Sequence, residues 1–391
     1  MTATLLTARQ LITSDGIVEY PRIAIDADGL IGSIESGGAT ADNTILTPSF
    51  FDIHVHGAAG HDVMEATPKA LSAIGKFLAT RGVAHFLPTT VTAPIDRTLH
   101  SLEGIVNAIE ATHERDEAQP AGIHLEGPFL SHSKRGVHPV TDLQPPSIEL
   151  FDRLQQAARG HILLLTIAPE LPGALDLIAH ATRSGVRVSL GHSNATAAET
   201  RAAIAAGATS ATHTFNAMRR LDHRDPGIAA AVLDSDSLFA ELICDGIHVA
   251  PEFVRLWLGA KTDARAILVT DGTSATGMPD AHYLLGELEV TVKNGRCLLA
   301  SDLVSGIETL AGSVLTMDRA VANLQSFTGA TLATAVHLAS RNPARMLGLE
   351  SLTEIALGRP ANFNVFTAAG TLHQTILFGQ VTASGNTLPY Y

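Results

Sequence analysis

Cysteine is nearly absent from this 391-residue chain: Cys244 and Cys297 are the only two. Two thiols cannot build a disulfide framework, so a hydrophobic core must hold the fold, and a reducing cytoplasm is the expected location. Positive charge is scarce as well. There are 26 Lys and Arg against 39 Asp and Glu, a formal net charge of −13. That balance argues against a nucleic-acid or anionic-membrane partner, since both need clustered cations. An anionic substrate would have to be met by a local positive cluster working against the global field. No apolar run approaches the ~20 residues of a spanning helix. The first residues, Met1 to Leu6, show no basic stretch followed by an apolar one, so no signal peptide is expected. Internal repeats and low-complexity segments are missing too. What is present is 46% hydrophobic and 17% charged residues, enough for one large barrel with an appendage or for two domains.

Residues 1–47 hold short β-like pieces (4–6, 22–25, 31–34) between Asp-Gly and Gly-Gly turns. From about 48 the rhythm becomes strand, loop, helix. Strands are predicted at 50–56, 83–88, 121–126, 162–168, 186–191, 210–214, 238–244 and 266–270. Helices are predicted over 68–80, 95–113, 147–158, 173–184, 197–205, 251–260, 310–325 and 332–347. Residues 214–238 read as irregular, and 283–300 as an inserted hairpin turning at Lys293-Asn294-Gly295. Eight strands alternating with helices demand a parallel sheet and close into a (β/α)8 TIM barrel, an α/β fold. The division expected is a barrel over 48–350 and a small β-sandwich-like domain built from both chain termini, 1–47 and 351–391.

In such barrels reactive side chains sit at the C-terminal ends of the strands. The first strand ends in Asp52-Ile53-His54-Val55-His56-Gly57, whose two imidazoles share one side of the strand. Taken alone, that stretch is equally compatible with a hydrogen-bonded core pair. Later strands end in His124-Leu125-Glu126, Gly191-His192-Ser193, Thr212-His213-Thr214 and Thr270-Asp271-Gly272. Metal-competent groups at five strand ends, all facing one mouth, point to a metal site. The fourth strand has no lysine, so a bridging carboxylated lysine is not expected there and Glu126 is left as the carboxylate ligand. Imidazole with carboxylate suits Zn²⁺ or Fe²⁺ better than Ca²⁺ or Mg²⁺. His85, His100, His113 and His180 read as structural or exposed. Asp62 reads equally as a turn residue or a pocket residue.

Taken together, these blocks resemble the amidohydrolase superfamily, and within it the N-acetylglucosamine-6-phosphate deacetylases. So do Asn216-Ala217-Met218, Asp225-Pro226-Gly227, Asp245-Gly246-Ile247-His248, and Leu310-Ala311-Gly312-Ser313. The resemblance implies Glu126, His192 and His213 as ligands of the main metal, with His54 and His56 available for a second. One or two divalent ions per subunit are therefore expected, zinc first, with Fe, Co, Mn or Cd as alternatives. It implies Asp271 as the catalytic carboxylate and His138 as a contact to the reacting group. Asn216 and Ala217 would hold the sugar phosphate. Arg224 and His248 would bind phosphate, reaching in from a neighbouring subunit, which implies a homodimer. The implied reaction is hydrolysis of N-acetylglucosamine 6-phosphate to glucosamine 6-phosphate and acetate. Asp271 would take a proton from water and return it to the departing nitrogen. The galactosamine counterpart, another cyclic-amide hydrolase or deaminase, and a non-catalytic barrel are the competing readings.

Overall fold

The apolar strand segments wind into a single ring of parallel strands. The computed structural model describes residues 4–38, 43–111 and 113–382. Residues 1–3, 39–42, 112 and 383–391, which fall within the expected terminal domain and the helix over 95–113, lie outside the described residues. The barrel strands are β1 (Phe50–Val55), β2 (Val83–Thr90), β3 (Ile123–Glu126), β4 (Ile162–Ile167), β5 (Arg187–Leu190), β6 (Ser210–Ala211), β7 (Phe239–Ile243) and β8 (Ala266–Val269). Each pairs in parallel with the next. The ring closes where Val55 bridges Gly272 and the Asp271 N–H donates to His54 O at 2.9 Å. Asp52 ties the same seam, its Oδ2 accepting from Thr270 Oγ1 at 2.5 Å. Closure thus sets Asp271 beside His54 and His56.

Helices cover the outside, started by local chemistry. Thr67 caps the helix Pro68–Ala79, whose first residue is the proline favoured there. Thr196 and Glu199 form a reciprocal capping box on Ala197–Ala206. The core between barrel and helices is continuous and holds Phe51, Phe86, Leu165 and Trp257, all fully buried.

Several predicted elements are corrected. The helix expected over 310–325 begins at Met317. Residues before it are extended because Gly312 has a left-handed φ of 59° and Ser313 bridges Gly272. The helix expected over 332–347 is two, Leu332–Ala339 and Arg341–Leu347, split at Ser340 ahead of Pro343, which has no N–H to give. The helix from Ile95 stops at Ile109. The hairpin is a three-stranded sheet, His282–Leu285, Leu288–Lys293 and Arg296–Leu299. The irregular stretch before β7 contains a short helix, Ile228–Asp234. β6 ends at Ala211 because the chain then turns, His213 taking φ 28° while Thr214 N–H bonds to Glu241 O at 2.8 Å.

Both chain ends meet in a six-stranded sheet. Its order is Gln380–Val381, Leu372–Leu377, Phe363–Thr367, Thr44–Pro48, Gln10–Thr13, Gly16–Glu19. A three-stranded sheet, Thr4–Thr7, Pro21–Ile25 and Ile31–Ser36, packs with it around Leu11, Ile23, Ile31, Leu46, Phe363 and Ile376. Thr44–Pro48, which the sequence reading passed over, runs straight into β1 and couples this unit to the barrel. Among the described residues no helix is long and apolar enough to cross a membrane.

Candidate metal centre and active site

The side chains at the C-terminal strand ends converge on one carboxylate. Glu126, the last residue of β3, lies with Oε1 at 3.2 Å from His192 Nε2, 3.2 Å from His213 Nε2 and 3.5 Å from His54 Nε2. Its Oε2 is 3.2 Å from His56 Nε2. His192 and His213 face each other, Nε2 to Nε2, at 3.0 Å, and His54 and His56 at 3.2 Å. Asp271 Oδ1 closes the group at 3.4 Å from His54 Nε2 and 3.2 Å from His56 Nε2. Two metal-competent trios result, His54–His56–Glu126 and Glu126–His192–His213, all buried.

Hydrogen bonds behind the rings decide which nitrogen faces Glu126. His192 Nδ1 lies 3.0 Å from Lys134 O, and His56 Nδ1 lies 3.1 Å from Thr89 O. A carbonyl only accepts, so each Nδ1 carries a proton and each Nε2 is the atom turned toward Glu126. His54 Nδ1 likewise faces Glu241 Oε2 at 3.3 Å. His213 Nδ1 is buried without a hydrogen-bond partner, so nothing behind that ring fixes its tautomer, and its Nε2 meets His192 Nε2 at 3.0 Å. Glu126 Oε1, buried and close to three nitrogens, makes no hydrogen bond of acceptable geometry. Two nitrogens on one tetrahedral zinc stand ~3.3 Å apart, close to the spacing within both trios. Spacing, ring orientation and the unbonded oxygen all fit a divalent cation.

His138 is set the other way. The Thr92 N–H donates to its Nδ1 at 3.2 Å, and Thr92 Oγ1 lies 2.8 Å from the same atom. The ring proton therefore sits on Nε2, which faces the centre 3.6 Å from Glu126 Oε2. The centre thus has the Nε2 atoms of the trios turned to Glu126, with the His138 N–H donor beside them. Gly127 allows the close approach behind this pair, for a Cβ there would strike Thr92 Oγ1.

Charge follows the same division. Burial pushes the His192 imidazole down to about 4. Burial also works against charge on His56, but its bonds to Asp271 and Glu126 prevail and raise it to about 9. Burial works to raise Asp271 and Glu126 too, yet His54 above all carries both well below the usual carboxylate range. Both carboxylates are ionised at neutral pH.

A cavity of about 310 Å³ opens on the centre, lined by His138, Asp271, Asn216, Ala217, His248 and Lys134 among others. A larger one of about 400 Å³ lies behind the Asp245 loop, and among the described residues it holds neither trio. His248 is held by Asp245, Nδ1 to Oδ2 at 2.6 Å, and although burial opposes charge, this bond raises its pKa. Arg224 stands exposed and does not line the cavity of its own chain. His192, His213, Phe215, Ala217 and Asp271 all have positive φ. Non-glycine residues pay about 1–2 kcal/mol each for that conformation, a cost that clusters at working sites.

Three further residues considered in the sequence have structural roles. His124 is a satisfied core histidine, Nε2 to Thr166 Oγ1 at 2.8 Å. His85 is buried and lowered to about 4 by desolvation. Asp62 is a turn residue, capping Val63–Glu65 and accepting the Gly286 N–H at 2.9 Å. The sequence reading missed Thr92, the Lys134 carbonyl and Glu241. Only Glu241 left a signal, as the single charge inside an apolar strand.

The amidohydrolase family profile matches residues 45–382. The chain belongs to the amidohydrolase family. Among curated amidohydrolase relatives it is 37% identical over 97% of its length to N-acetylgalactosamine-6-phosphate deacetylase of Escherichia coli O157:H7, covering 99% of that protein. It is 35% identical over 94% of its length to N-acetylglucosamine-6-phosphate deacetylase of Vibrio furnissii, covering 92% of that protein. Among solved structures, a mutant N-acetyl-D-glucosamine-6-phosphate deacetylase from Mycobacterium smegmatis, in complex with N-acetyl-D-glucosamine-6-phosphate, superposes with a TM-score of 0.90 at 32% identity. The match covers 97% of this chain and 99% of that one.

Proposed function

We propose that this amidohydrolase removes acetate from N-acetylglucosamine 6-phosphate, leaving glucosamine 6-phosphate. The observation that carries this reading is the cluster of imidazole Nε2 atoms around Glu126, with ionised Asp271 and the His138 N–H on the same cavity. Glu126, His192 and His213 would hold one divalent ion, zinc first, and His54, His56 and Glu126 a second. A divalent ion there supplies Lewis acidity and makes water a nucleophile near neutral pH. Asp271 accepts a proton from the attacking water and hands it to the departing sugar nitrogen. His138 donates Nε2–H to the oxygen that gains charge as the carbonyl becomes tetrahedral. Asn216 and Ala217 grip the sugar phosphate, joined by His248, which was expected from a neighbouring subunit but lines its own chain's cavity. In a cytoplasmic homodimer, the described residues of the terminal segments 1–47 and 351–391 form the supporting β domain. Leu221, Ile247, Phe253 and Leu256, each more than 40% exposed, stand near Arg224 or His248 in the sequence and could supply apolar contact area. Across that interface Arg224 reaches the phosphate in its partner's cavity.

Acetate release from a panel of N-acetylated amino sugars, with and without phosphate, tests the assignment. The glucosamine 6-phosphate derivative should react fastest, and no release from any phosphorylated member by metal-loaded protein would overturn it. A galacto preference is the second reading, favoured by the 37% identical relative; the same panel separates the two.

Arg224→Ala should raise KM for the phosphorylated sugar about 10- to 100-fold, the worth of one charged hydrogen bond, and leave the unphosphorylated analogue unchanged. Equal effects on both would remove the phosphate contact. Metal retention should also depend on pH differently at the two positions. Ligation at His56 must expel a proton held up to about pH 9, whereas His192, lowered to about 4, has none to expel at neutral pH. On dialysis at falling pH the His54–His56 ion should therefore leave first. Simultaneous loss, followed by metal analysis, would contradict this.

A further inference from the structure

Glu241 lies mid-way along β7 between Ala240 and Leu242 and is fully buried. A carboxylate in such surroundings is costly to keep unless it has work to do. Its Oε2 accepts from His54 Nδ1 at 3.3 Å and from the His213 backbone N–H at 3.3 Å. One oxygen thus touches a ligand of each trio, the ring of one and the main chain of the other. Its Oε1 is buried without a hydrogen-bond partner, so the side chain is not retained for a full set of bonds. His56 and His192 are oriented by backbone carbonyls, Thr89 O and Lys134 O, which any residue could supply. Among the four imidazoles of the trios, only His54 has its Nδ1 bound to a side chain, and that side chain is an acid. A carboxylate behind an imidazole fixes the tautomer and makes the opposite nitrogen a better donor.

We infer that Glu241 is a positioning residue for the metal centre. It holds the His54 ring with Nε2 turned toward Glu126 and Asp271, so that the His54–His56–Glu126 trio can take a cation. The inference rests on the reading of these trios as metal sites.

The test is metal uptake by stripped full-length protein titrated with Zn²⁺ or Co²⁺, comparing wild type, Glu241→Gln and His54→Ala. Glutamine keeps the shape and removes the charge. Glu241→Gln should fill the Glu126–His192–His213 position as wild type does. It should need about 10- to 100-fold more free metal to fill the other, the usual effect of losing an outer partner, and His54→Ala should not fill it at all. Should Glu241→Gln fail to fold, cobalt-loaded wild type gives a second readout. Its paramagnetically shifted spectrum should contain an exchangeable Nδ1–H resonance from His54, absent in His54→Ala. Uptake of both ions by Glu241→Gln with wild-type affinity would overturn the proposal, as would absence of that resonance. A wild type holding one ion that His54→Ala leaves in place would overturn it while sparing the deacetylase reading. A wild type that binds no divalent ion would overturn both.

Discussion

Asp271→Asn should lower turnover by about 10²- to 10⁴-fold, the range over which a positioned acid–base group acts, with metal content at Glu126, His192 and His213 unchanged. The reason is the way the barrel closes. Asp271 follows β8 with φ 52°, its N–H bonded to His54 O and its own carbonyl accepting from Ser313 N–H at 2.7 Å. This clamp aims the carboxylate at the centre, with Oδ1 at 3.4 and 3.2 Å from His54 and His56. Burial alone would raise its pKa, but the charge of His54, and then His56, holds it below the ordinary range. It is therefore an ionised base at neutral pH. Asparagine keeps the shape and both backbone bonds but cannot receive a proton. Turnover near wild type in a fully metal-loaded variant would remove Asp271 from the chemistry.

Glu126→Gln should do more, because it strikes both trios together. Glu126 places Oε1 within 3.5 Å of His54, His192 and His213, and Oε2 within 3.2 Å of His56. Without this anion the centre offers imidazoles and a single remaining carboxylate, Asp271. Metal affinity should fall by more than the ~10- to 100-fold that an outer partner contributes, and deacetylation should disappear with it. The fold should survive, since burial of this carboxylate is a cost the barrel no longer carries. Metal analysis of the dialysed variant is the readout, and retention of wild-type metal content would contradict the bridging role.

The barrel and its centre were legible because both depend on simple periodicities. Apolar strands separated by amphipathic helices give a closed parallel sheet, and such a sheet gathers whatever its strands end in. His54, His56, Glu126, His192, His213 and Asp271 could therefore be read as one group. What orients them could not. Lys134 and Thr89 act through main-chain carbonyls, which carry no residue signature. Thr92 acts through its backbone N–H as well as its hydroxyl, from beyond the end of β2. Glu241 had a trace, a lone charge in Leu238-Phe239-Ala240-Glu241-Leu242-Ile243-Cys244, but an isolated acid in a strand does not declare its partner. The extended run before Met317 was hidden for a related reason. Its conformation comes from Ser313 bonding to the Asp271 seam, a contact 42 residues distant in sequence, whereas local pattern favoured a helix. The break at Ser340 is marked in the sequence by Pro343.

Anomalous diffraction from crystals grown with zinc tests the central claim most directly. The account predicts a peak ~2.0–2.2 Å from a Glu126 oxygen and from the Nε2 atoms of His192 and His213, with Asp271 facing it across the cavity. A zinc-saturated, catalytically active crystal whose only peaks lie away from Glu126 would contradict it.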